Sequence, residues 1–321
     1  MQILPPDVEP ADAATRRGDV EWLTEDTFAT MARDLAEHGA EWDARRYRGR
    51  WSLAGAQPTV ALFRDTVTGR WGIPRDSTPT THIVKPALAG YEQHHVNEVL
   101  CLRAAREAGL FASTVELAEV ADVRAVIAHR YDRRQVSGRW VRLHQEDLCQ
   151  ALAIHPSLKY QSDGGPGVSE VGELFSRLPL GDRAITAERF FKGLAFNALI
   201  GGADAHAKNY SLLLIGPRAQ LAPLYDVASA APYSQHSRLT SSMKIGEHWK
   251  MLDTTEQDWR QTARRLGIGG DQATAWVGDL RKTLPDAFTA AVASLPSAAH
   301  GDAEIMADRI IEHVRRTWRP R

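Results

Sequence analysis

The sequence predicts an α+β fold of two lobes, a mainly β N-lobe followed by an all-α C-lobe. Before residue 133, short β-branched and apolar runs bounded by turn residues are typical of strands, and a single long amphipathic helix interrupts them. After residue 133 helical periodicity dominates, and the segment 186–200 is apolar nearly all round, as a buried helix is. We therefore expect an N-lobe at 1–133, with a hinge at 129–133, and a C-lobe at 134–321. Ligands usually bind in the cleft between two such lobes.

The N-lobe pattern begins with a helix at about 25–44, for which Thr24 is the N-cap. Val60 begins a strand whose hairpin partner at 71–73 follows the turn Thr68-Gly69. The remaining predicted elements are a strand at 81–86, a helix at 92–108 ended by Gly109, and strands at 114–119 and 124–129. This order of strands around one helix is that of a protein-kinase N-lobe.

In the C-lobe, His144 to Asp147 is predicted to start a helix, and a Gly/Pro/Ser-rich loop follows at 156–167. Further helices are expected at 168–178, 186–200, 254–266, 270–292 and 301–318. Asn97 or Glu98 of the N-lobe helix could face Lys85, and the sequence leaves that choice open.

Composition excludes several classes of protein. The 39 basic and 40 acidic residues give a net charge of −1, so direct nucleic-acid binding by the whole chain has no electrostatic support. Cys101 and Cys149 form neither a disulfide framework nor a zinc pattern, and a reducing cytoplasm fits them. The start of the chain has no signal-peptide pattern, and no apolar run approaches the length of a membrane span.

The stretch 199–226 carries the chemistry that the sequence predicts. Asp204 and Asn209 stand five apart, and Asp226 follows a strand at 211–215 and a turn at 216–217. In protein kinases, a D-x-x-x-x-N loop and a later Asp supply a catalytic base and the oxygen ligands of Mg²⁺. Taken alone, the pattern occurs by chance in many proteins and favours an ordinary polar turn between two core elements.

Other segments could bind the nucleotide of such a kinase. The small residues of 54–56 would let backbone amides approach phosphates. Lys85 ends a short strand, where a kinase places the lysine that grips the phosphates. The segment from His129 to Tyr131 could seat adenine on its backbone.

Seven segments in order carry a resemblance to a known family. They are SLAGAQPTVAL (52–62), THIVKP (81–86), HRYDR (129–133), HQEDLCQAL (144–152), KYQSDGGPG (159–167), GGADAHAKNYSLL (201–213) and LAPLYDVAS (221–229). Together they resemble the HipA-type serine/threonine kinases, the toxins of bacterial toxin–antitoxin modules. The resemblance implies a two-lobed protein-kinase-like fold, ATP and Mg²⁺ as cofactors, and a small helix-turn-helix antitoxin as partner. It also implies that the protein phosphorylates an aminoacyl-tRNA synthetase and so arrests translation.

The resemblance also implies roles for residues. Asp204 is the catalytic base, Asn209 and Asp226 are the Mg²⁺ ligands, Lys85 is the ATP lysine, and Ser52 is an inhibitory autophosphorylation site. The other ATP-binding residues it implies are Ala54, Gly55, Ala56, Gln57, Pro58 and Thr59 in the phosphate-covering loop, His129, Arg130 and Tyr131 at the hinge, Asp132 near the ribose, His206 and Lys208 facing phosphate, and Tyr225 before Asp226.

The chain departs from the family pattern in three places. Thr59 stands where the phosphate loop often has lysine, and Gly202 stands where the catalytic motif usually has asparagine. About fifty residues precede the loop, which is typical of the short, HipT-like variety, in which a separate small protein can replace the N-terminal subdomain. An N-terminal truncation or a mis-called start codon would look the same.

Three alternative functions stay open at this point. A catalytically silent nucleotide-binding scaffold that bridges a DNA-binding antitoxin would fit the changes at Thr59 and Gly202. A small-molecule kinase would share the catalytic residues. The Asp-x-His formed by Asp204 and His206 suggests a metal hydrolase, although a second histidine at a standard zinc-ligand spacing is missing.

Overall fold

The computed structural model describes residues 18–38, 58–75, 77–87, 92–120 and 122–317. The strands are β1 Asp19–Trp22, β2 Val60–Arg64, β3 Trp71–Arg75, β4 His82–Pro86, β5 Val115–Val120, β6 Val123–His129, β7 Arg133–Val136, β8 Arg139–Arg142, β9 His144–Asp147, β10 Ser211–Ile215, β11 Arg218–Leu221, β12 Thr240–Ile245 and β13 His248–Lys250. The helices are α1 Glu25–His38, α2 His94–Glu107, α3 Leu148–Ala151, α4 Val168–Ser176, α5 Leu180–Ile200, α6 Glu256–Arg265, α7 Gly270–Ala293 and α8 His300–Arg316.

The chain divides into two compact units. The first comprises Met1–Ala87 and Ala118–Arg142, and the second comprises Leu88–Leu117 and Leu143–Arg321. Among the described residues, no helix is long and apolar enough to cross a bilayer.

The first unit is organised by a six-stranded sheet of order β1-β3-β2-β4-β6-β5. Helix α1 begins after Thr24, whose hydroxyl accepts a hydrogen bond from the Thr27 backbone N–H at 3.1 Å. Apolar residues of α1 and of the inner strands form one core, namely Phe28, Met31, Leu35, Val60, Leu62, Ile73, Val84, Ala125 and Ile127. Successive side chains of a strand point to opposite faces, so Lys85 lies on the face of the sheet away from Val84 and this core.

The second unit is organised around helix α5. Residues on every side of this helix are buried, as its all-round apolar sequence predicts. The ring of Phe190 meets those of Phe175 and Tyr210, with centroids 5.5 and 4.9 Å apart. Asp182, in the first turn, accepts hydrogen bonds from Arg218 and Gln220 of β11, which ties the start of α5 to that strand.

Most of the predicted elements of the first 130 residues are confirmed. The β2–β3 hairpin turns through Gly69, at φ 71°, and α2 is followed by Gly109, at φ 77°. Both positions lie in the left-handed region that glycine adopts without strain. The predicted extension of the first helix to residue 44 lies outside the described residues.

The second unit confirms the α+β class and adds strands to the expected all-α lobe. In its described residues, β9, β10 and β11 form an antiparallel sheet, and β12 pairs with β13. The prediction that a helix starts at His144 is wrong, because residues 144–147 pair with β10. The helix begins only at Leu148, where Asp147 and Gln150 form a reciprocal capping box.

Candidate active site

The loop after α5 brings Asp204 and Asn209 together. Gly201 ends the helix in the left-handed region at φ 77°. The Asn209 backbone N–H donates to the His206 carbonyl at 2.9 Å, and Asn209 Nδ2 donates to the Asp204 carbonyl at 2.8 Å. Because the amide nitrogen is engaged with Asp204, Asn209 Oδ1 is the atom of this side chain that can bind a cation.

Asp226 reaches the same region by way of the β10–β11 hairpin. The hairpin returns through Gly216, and the Ala222 N–H donates to the Ser211 carbonyl at 2.8 Å. Asp226 then adopts φ 56°, a left-handed backbone that costs free energy for most side chains but is tolerated by Asp and Asn. Such a conformation at an exposed carboxylate is typical of a functional position.

His206 lies within the electrostatic influence of the Asp204 and Asp226 carboxylates. Its side chain is 6% exposed, and its Nε2 lies 4.0 Å from Asp204 Oδ1. Burial lowers the pKa of His206, and the negative charges of Asp204 and Asp226 oppose that effect. His206 is therefore expected to be a neutral imidazole at pH 7.

The donor set of this loop fits a magnesium nucleotide. Buried His206 Nδ1 has no hydrogen-bond partner within the described residues, so a phosphate oxygen or water could satisfy it. No group of three His, Cys, Asp or Glu side chains suited to a metal occurs in the described parts of the chain. Mg²⁺ needs only one or two protein oxygens besides phosphates and water, and Asn209 and Asp226 can provide them.

Two residues predicted to contact ATP have structural partners here. Lys208 Nζ lies 2.7 Å from Asp147 Oδ2, so its charge is paired with the residue that caps α3. The Tyr225 hydroxyl donates to the Lys208 carbonyl at 2.6 Å and is 2.7 Å from Ser211 Oγ. Tyr225 thus holds the loop that carries Asp204 and Asn209 against β10.

The local packing explains why glycine occupies position 202. A Cβ added there would lie 2.5 Å from Asn197 Oδ1 and 3.3 Å from Asn197 Cα. The Asn197 amide is anchored, because Nδ2 donates to the Gly193 carbonyl at 3.0 Å and to the Tyr210 hydroxyl at 3.2 Å. An asparagine at 202 would clash with this anchored side chain, so the departure at Gly202 preserves the loop and gives no support to a silent scaffold.

The nucleotide residues predicted in the first unit are only partly described. Lys85 is half-buried on β4, opposite Val126 of β6. Pro58 and Thr59 lead into β2 and are also half-buried. The other predicted residues of the phosphate-covering segment, Ser52, Ala54, Gly55, Ala56 and Gln57, lie outside the described residues.

The predicted hinge carries a buried ion-pair cluster. The Asp132 carboxylate accepts hydrogen bonds from Arg130 Nε at 3.0 Å, Arg130 Nη2 at 2.8 Å and Arg133 Nη1 at 2.6 Å. Burial alone would raise the pKa of Asp132, but the two arginines outweigh it and hold that pKa below its usual range. The Arg130 backbone N–H donates to the Thr81 carbonyl, and the Arg130 carbonyl accepts from the Arg133 N–H. The ring centroids of His129 and His82 lie 4.5 Å apart. The role of His129, Arg130 and Tyr131 in adenine binding stays a prediction.

Sequence reasoning missed two polar contacts. The Asn97 carboxamide exchanges hydrogen bonds with the Ser229 backbone at 2.8 and 2.9 Å. Tyr160 donates a hydrogen bond to the Asp204 carboxylate. Tyr160 lies in the KYQSDGGPG motif, which could have singled it out, but the sequence analysis assigned no role to this residue.

The fold is similar to that of protein kinases. The structure aligns with a Shewanella oneidensis MR-1 protein from the complex of the toxin–antitoxin system HipA and HipB with its operator DNA, with TM-score 0.77 and 21% identity over 98% of this chain and 73% of that one. It also aligns with the Helicobacter pylori proinflammatory kinase CtkA, with TM-score 0.54 and 12% identity over 84% of this chain and 91% of that one. These likenesses establish a two-lobed, kinase-like α+β fold.

Sequence comparison then gives the family. Residues 51–288 match the model of the HipA-like C-terminal domain, and the chain belongs to that family. It is 35% identical over 221 residues to the Sinorhizobium fredii protein Y4mE, covering 68% of this chain and 52% of that protein. It is 27% identical over 280 residues to the serine/threonine-protein kinase toxin HipA of Shewanella oneidensis, covering 83% of this chain and 62% of the toxin.

Proposed function

We propose that this chain is an ATP·Mg²⁺-dependent serine/threonine protein kinase and the toxin of a bacterial toxin–antitoxin module. The observation that carries the proposal is the loop in which Asn209 Nδ2 donates to the Asp204 carbonyl. The negative charges of Asp204 and Asp226 both act on His206 of this loop. The kinase-like fold and the relationship to a kinase toxin support it. Under this proposal, the N-lobe at 1–133 binds the nucleotide, and the C-lobe at 134–321 carries the catalytic groups.

The proposed chemistry assigns one task to each group. Asp204, whose side chain is 71% exposed, accepts the proton of the substrate hydroxyl or orients that hydroxyl for attack. Asn209 Oδ1 and the Asp226 carboxylate would hold Mg²⁺, which neutralises negative charge on the phosphates when it is bound. Lys85 would stabilise negative charge on the ATP phosphates. Such catalysis depends mostly on positioning and electrostatics, so the fixed orientation of Asn209 matters more than its basicity.

The direct test is transfer of labelled phosphate. The purified chain is incubated with γ-labelled ATP and Mg²⁺, alone and with bacterial aminoacyl-tRNA synthetases in the presence of tRNA. We expect label on a serine or threonine of one synthetase. Label on a small metabolite and on no protein would favour the small-molecule kinase, and nucleotide binding without turnover would favour the silent scaffold.

The proposed partner is a small helix-turn-helix antitoxin. The aligned Shewanella protein is in a complex with HipB and operator DNA, which supports this class of partner. We propose contact with DNA only through the antitoxin, and a separate small protein as a second partner. A cytoplasmic site of action fits two buried free cysteines. Co-purification with the products of neighbouring reading frames would identify both small proteins.

Lys85→Ala is expected to raise the KM for ATP and to lower kcat, by about tenfold in kcat/KM or more. The reason is that the charge of Lys85 is needed more strongly as the phosphoryl group leaves than in the bound ground state. An ATP titration of the phosphorylation rate measures both constants. Lys282→Ala, at an exposed position of α7, is the matched control and should leave them unchanged. If Lys85→Ala keeps the wild-type kcat/KM, the assignment of Lys85 to ATP is wrong.

Autophosphorylation of Ser52 is expected to inhibit the kinase. A phosphate there would add a charge of about −1.5 to −2 beside the predicted phosphate loop, where it would repel ATP. Mass spectrometry after incubation with ATP·Mg²⁺ should find phosphate on Ser52 in the active protein and none in Asp204→Asn. Ser52→Ala should stay active for longer. Phosphate in both proteins would assign the modification to another kinase, and its absence from both would remove self-inhibition through Ser52.

A further inference from the structure

Tyr160 makes the one hydrogen bond to the Asp204 carboxylate that occurs among the described residues. Its hydroxyl donates to Asp204 Oδ1 at 2.5 Å. Burial and the neighbouring Asp204 raise the pKa of Tyr160, so the hydroxyl remains a donor at neutral pH. Because the Asp204 side chain is 71% exposed, little else restrains its two side-chain torsions.

Tyr160 itself is held on several sides. Its ring meets the His206 ring edge to face, with centroids 5.0 Å apart and planes at 80°. Lys159 Nζ lies 4.9 Å from the centre of the Tyr160 ring. The Ala207 N–H donates to the Lys159 carbonyl at 3.1 Å, and the Gly165 N–H donates to the Tyr160 carbonyl at 2.9 Å. The segment that carries Tyr160 is thus fastened directly to the catalytic loop.

The hydrogen bond engages only one oxygen of the carboxylate. Oδ1 accepts from Tyr160, and His206 Nε2, at 4.0 Å, is too far from the same oxygen for a hydrogen bond. Oδ2 therefore stays available to an incoming hydroxyl. An aspartate that must both orient and deprotonate a substrate benefits from such an arrangement, because the angle of approach is set before the substrate arrives.

We propose that Tyr160 is a positioning residue that holds the Asp204 carboxylate by Oδ1 and directs Oδ2 at the substrate hydroxyl. This inference rests on the proposed kinase activity. It also assigns a task to the Gly/Ser-rich segment around 156–167, which is to carry Tyr160 to the catalytic loop. Tyr160 transfers no proton and touches no substrate in this role.

Tyr160→Phe tests the proposal, because it removes the hydroxyl and keeps the ring on His206. With labelled ATP·Mg²⁺ and casein as acceptor, we expect kcat to fall by about tenfold to a hundredfold, as for other losses of orientation. The KM for ATP should stay within about twofold, since the lost contact orients the base and does not bind nucleotide. Tyr233→Phe is the matched control, because its hydroxyl donates to the Glu92 carbonyl, accepts from Asn97 Nδ2 at 3.3 Å and is not hydrogen-bonded to Asp204.

A double variant separates positioning from general damage to the fold. If Tyr160 acts through Asp204, then Tyr160→Phe should lower the residual rate of Asp204→Asn by less than about twofold, because the group it orients is already lost. An additive loss would show that Tyr160 acts elsewhere. A rise in kcat for the single variant would also overturn the proposal, since it would mean that the hydroxyl blocks the place of the substrate.

Crystal structures give a readout that does not depend on turnover. Asp204 should show one carboxylate orientation in the wild type and in Tyr233→Phe, and more than one in Tyr160→Phe. A single, unchanged orientation in Tyr160→Phe would overturn the positioning role even if the enzyme is active. If the wild type transfers no phosphate at all, the proposed kinase function falls, while the orientation of Asp204 still decides what Tyr160 does.

Discussion

Asp226→Asn is expected to lower the rate of phosphoryl transfer by about a hundredfold to a thousandfold. The substitution removes the negative charge that would hold Mg²⁺ and preserves the shape of the side chain. It should also preserve the backbone, because asparagine tolerates the left-handed conformation that Asp226 adopts at φ 56°. The rate measured against Mg²⁺ concentration should show a higher requirement for the metal.

Asp279→Asn is the matched control for this prediction. Asp279 is an exposed aspartate of α7, and the same change of charge there should leave both the rate and the Mg²⁺ requirement at wild-type values. Equal thermal unfolding of the two variants would show that Asp226→Asn does not act through stability. An unchanged rate and Mg²⁺ requirement in Asp226→Asn would exclude Asp226 as a metal ligand.

Asn97→Ala is expected to lower the free energy of unfolding by about 2–4 kcal/mol. Asn97 is fully buried in α2, and its carboxamide satisfies the Ser229 N–H at 2.9 Å and the Ser229 carbonyl at 2.8 Å. Alanine would leave both backbone groups buried without their partner, and each unsatisfied group carries its own desolvation cost. Urea unfolding at pH 7 measures the loss.

The same variant should also reduce activity, because Ser229 lies three residues after Asp226. Ser229 Oγ donates to the Ile200 carbonyl at 2.5 Å, so this residue connects the segment after Asp226 to the end of α5. Gln272→Ala, at an exposed amide of α7, is the control and should change stability by less than about 0.5 kcal/mol. A similarly small loss for Asn97→Ala would contradict the importance of this contact.

Features that depend on neighbouring residues could be predicted from the sequence. Gly69 and Gly109 mark a hairpin and a helix end because few other residues adopt their left-handed backbone. The spacing of Asp204 and Asn209 predicts that one loop carries both residues, and in the structure the Asn209 side chain hydrogen-bonds to the Asp204 carbonyl. In each case the physical cause lies within a few residues of the effect.

Features that depend on distant parts of the chain were missed. Asp147 has the sequence of a helix N-cap and is one, but the residues before it are a strand because they pair with β10, more than sixty residues later. The partner of Lys208 proved to be this same Asp147. Tyr160 and Asp204, forty-four residues apart, illustrate the same limit, since no local periodicity predicts a contact over that separation.

The packing of Gly202 against Asn197 restricts the order in which the two positions can change during evolution. An asparagine introduced first at 202 would clash with the anchored Asn197 amide, so that intermediate would carry a distorted loop between α5 and β10. A smaller residue introduced first at 197 would give up the hydrogen bonds to Gly193 and Tyr210 but would open the space. Lineages with glycine at 202 are therefore expected to acquire asparagine there only after position 197 has changed. The two positions should covary among related sequences, and reconstructed ancestors should rarely combine asparagine at both.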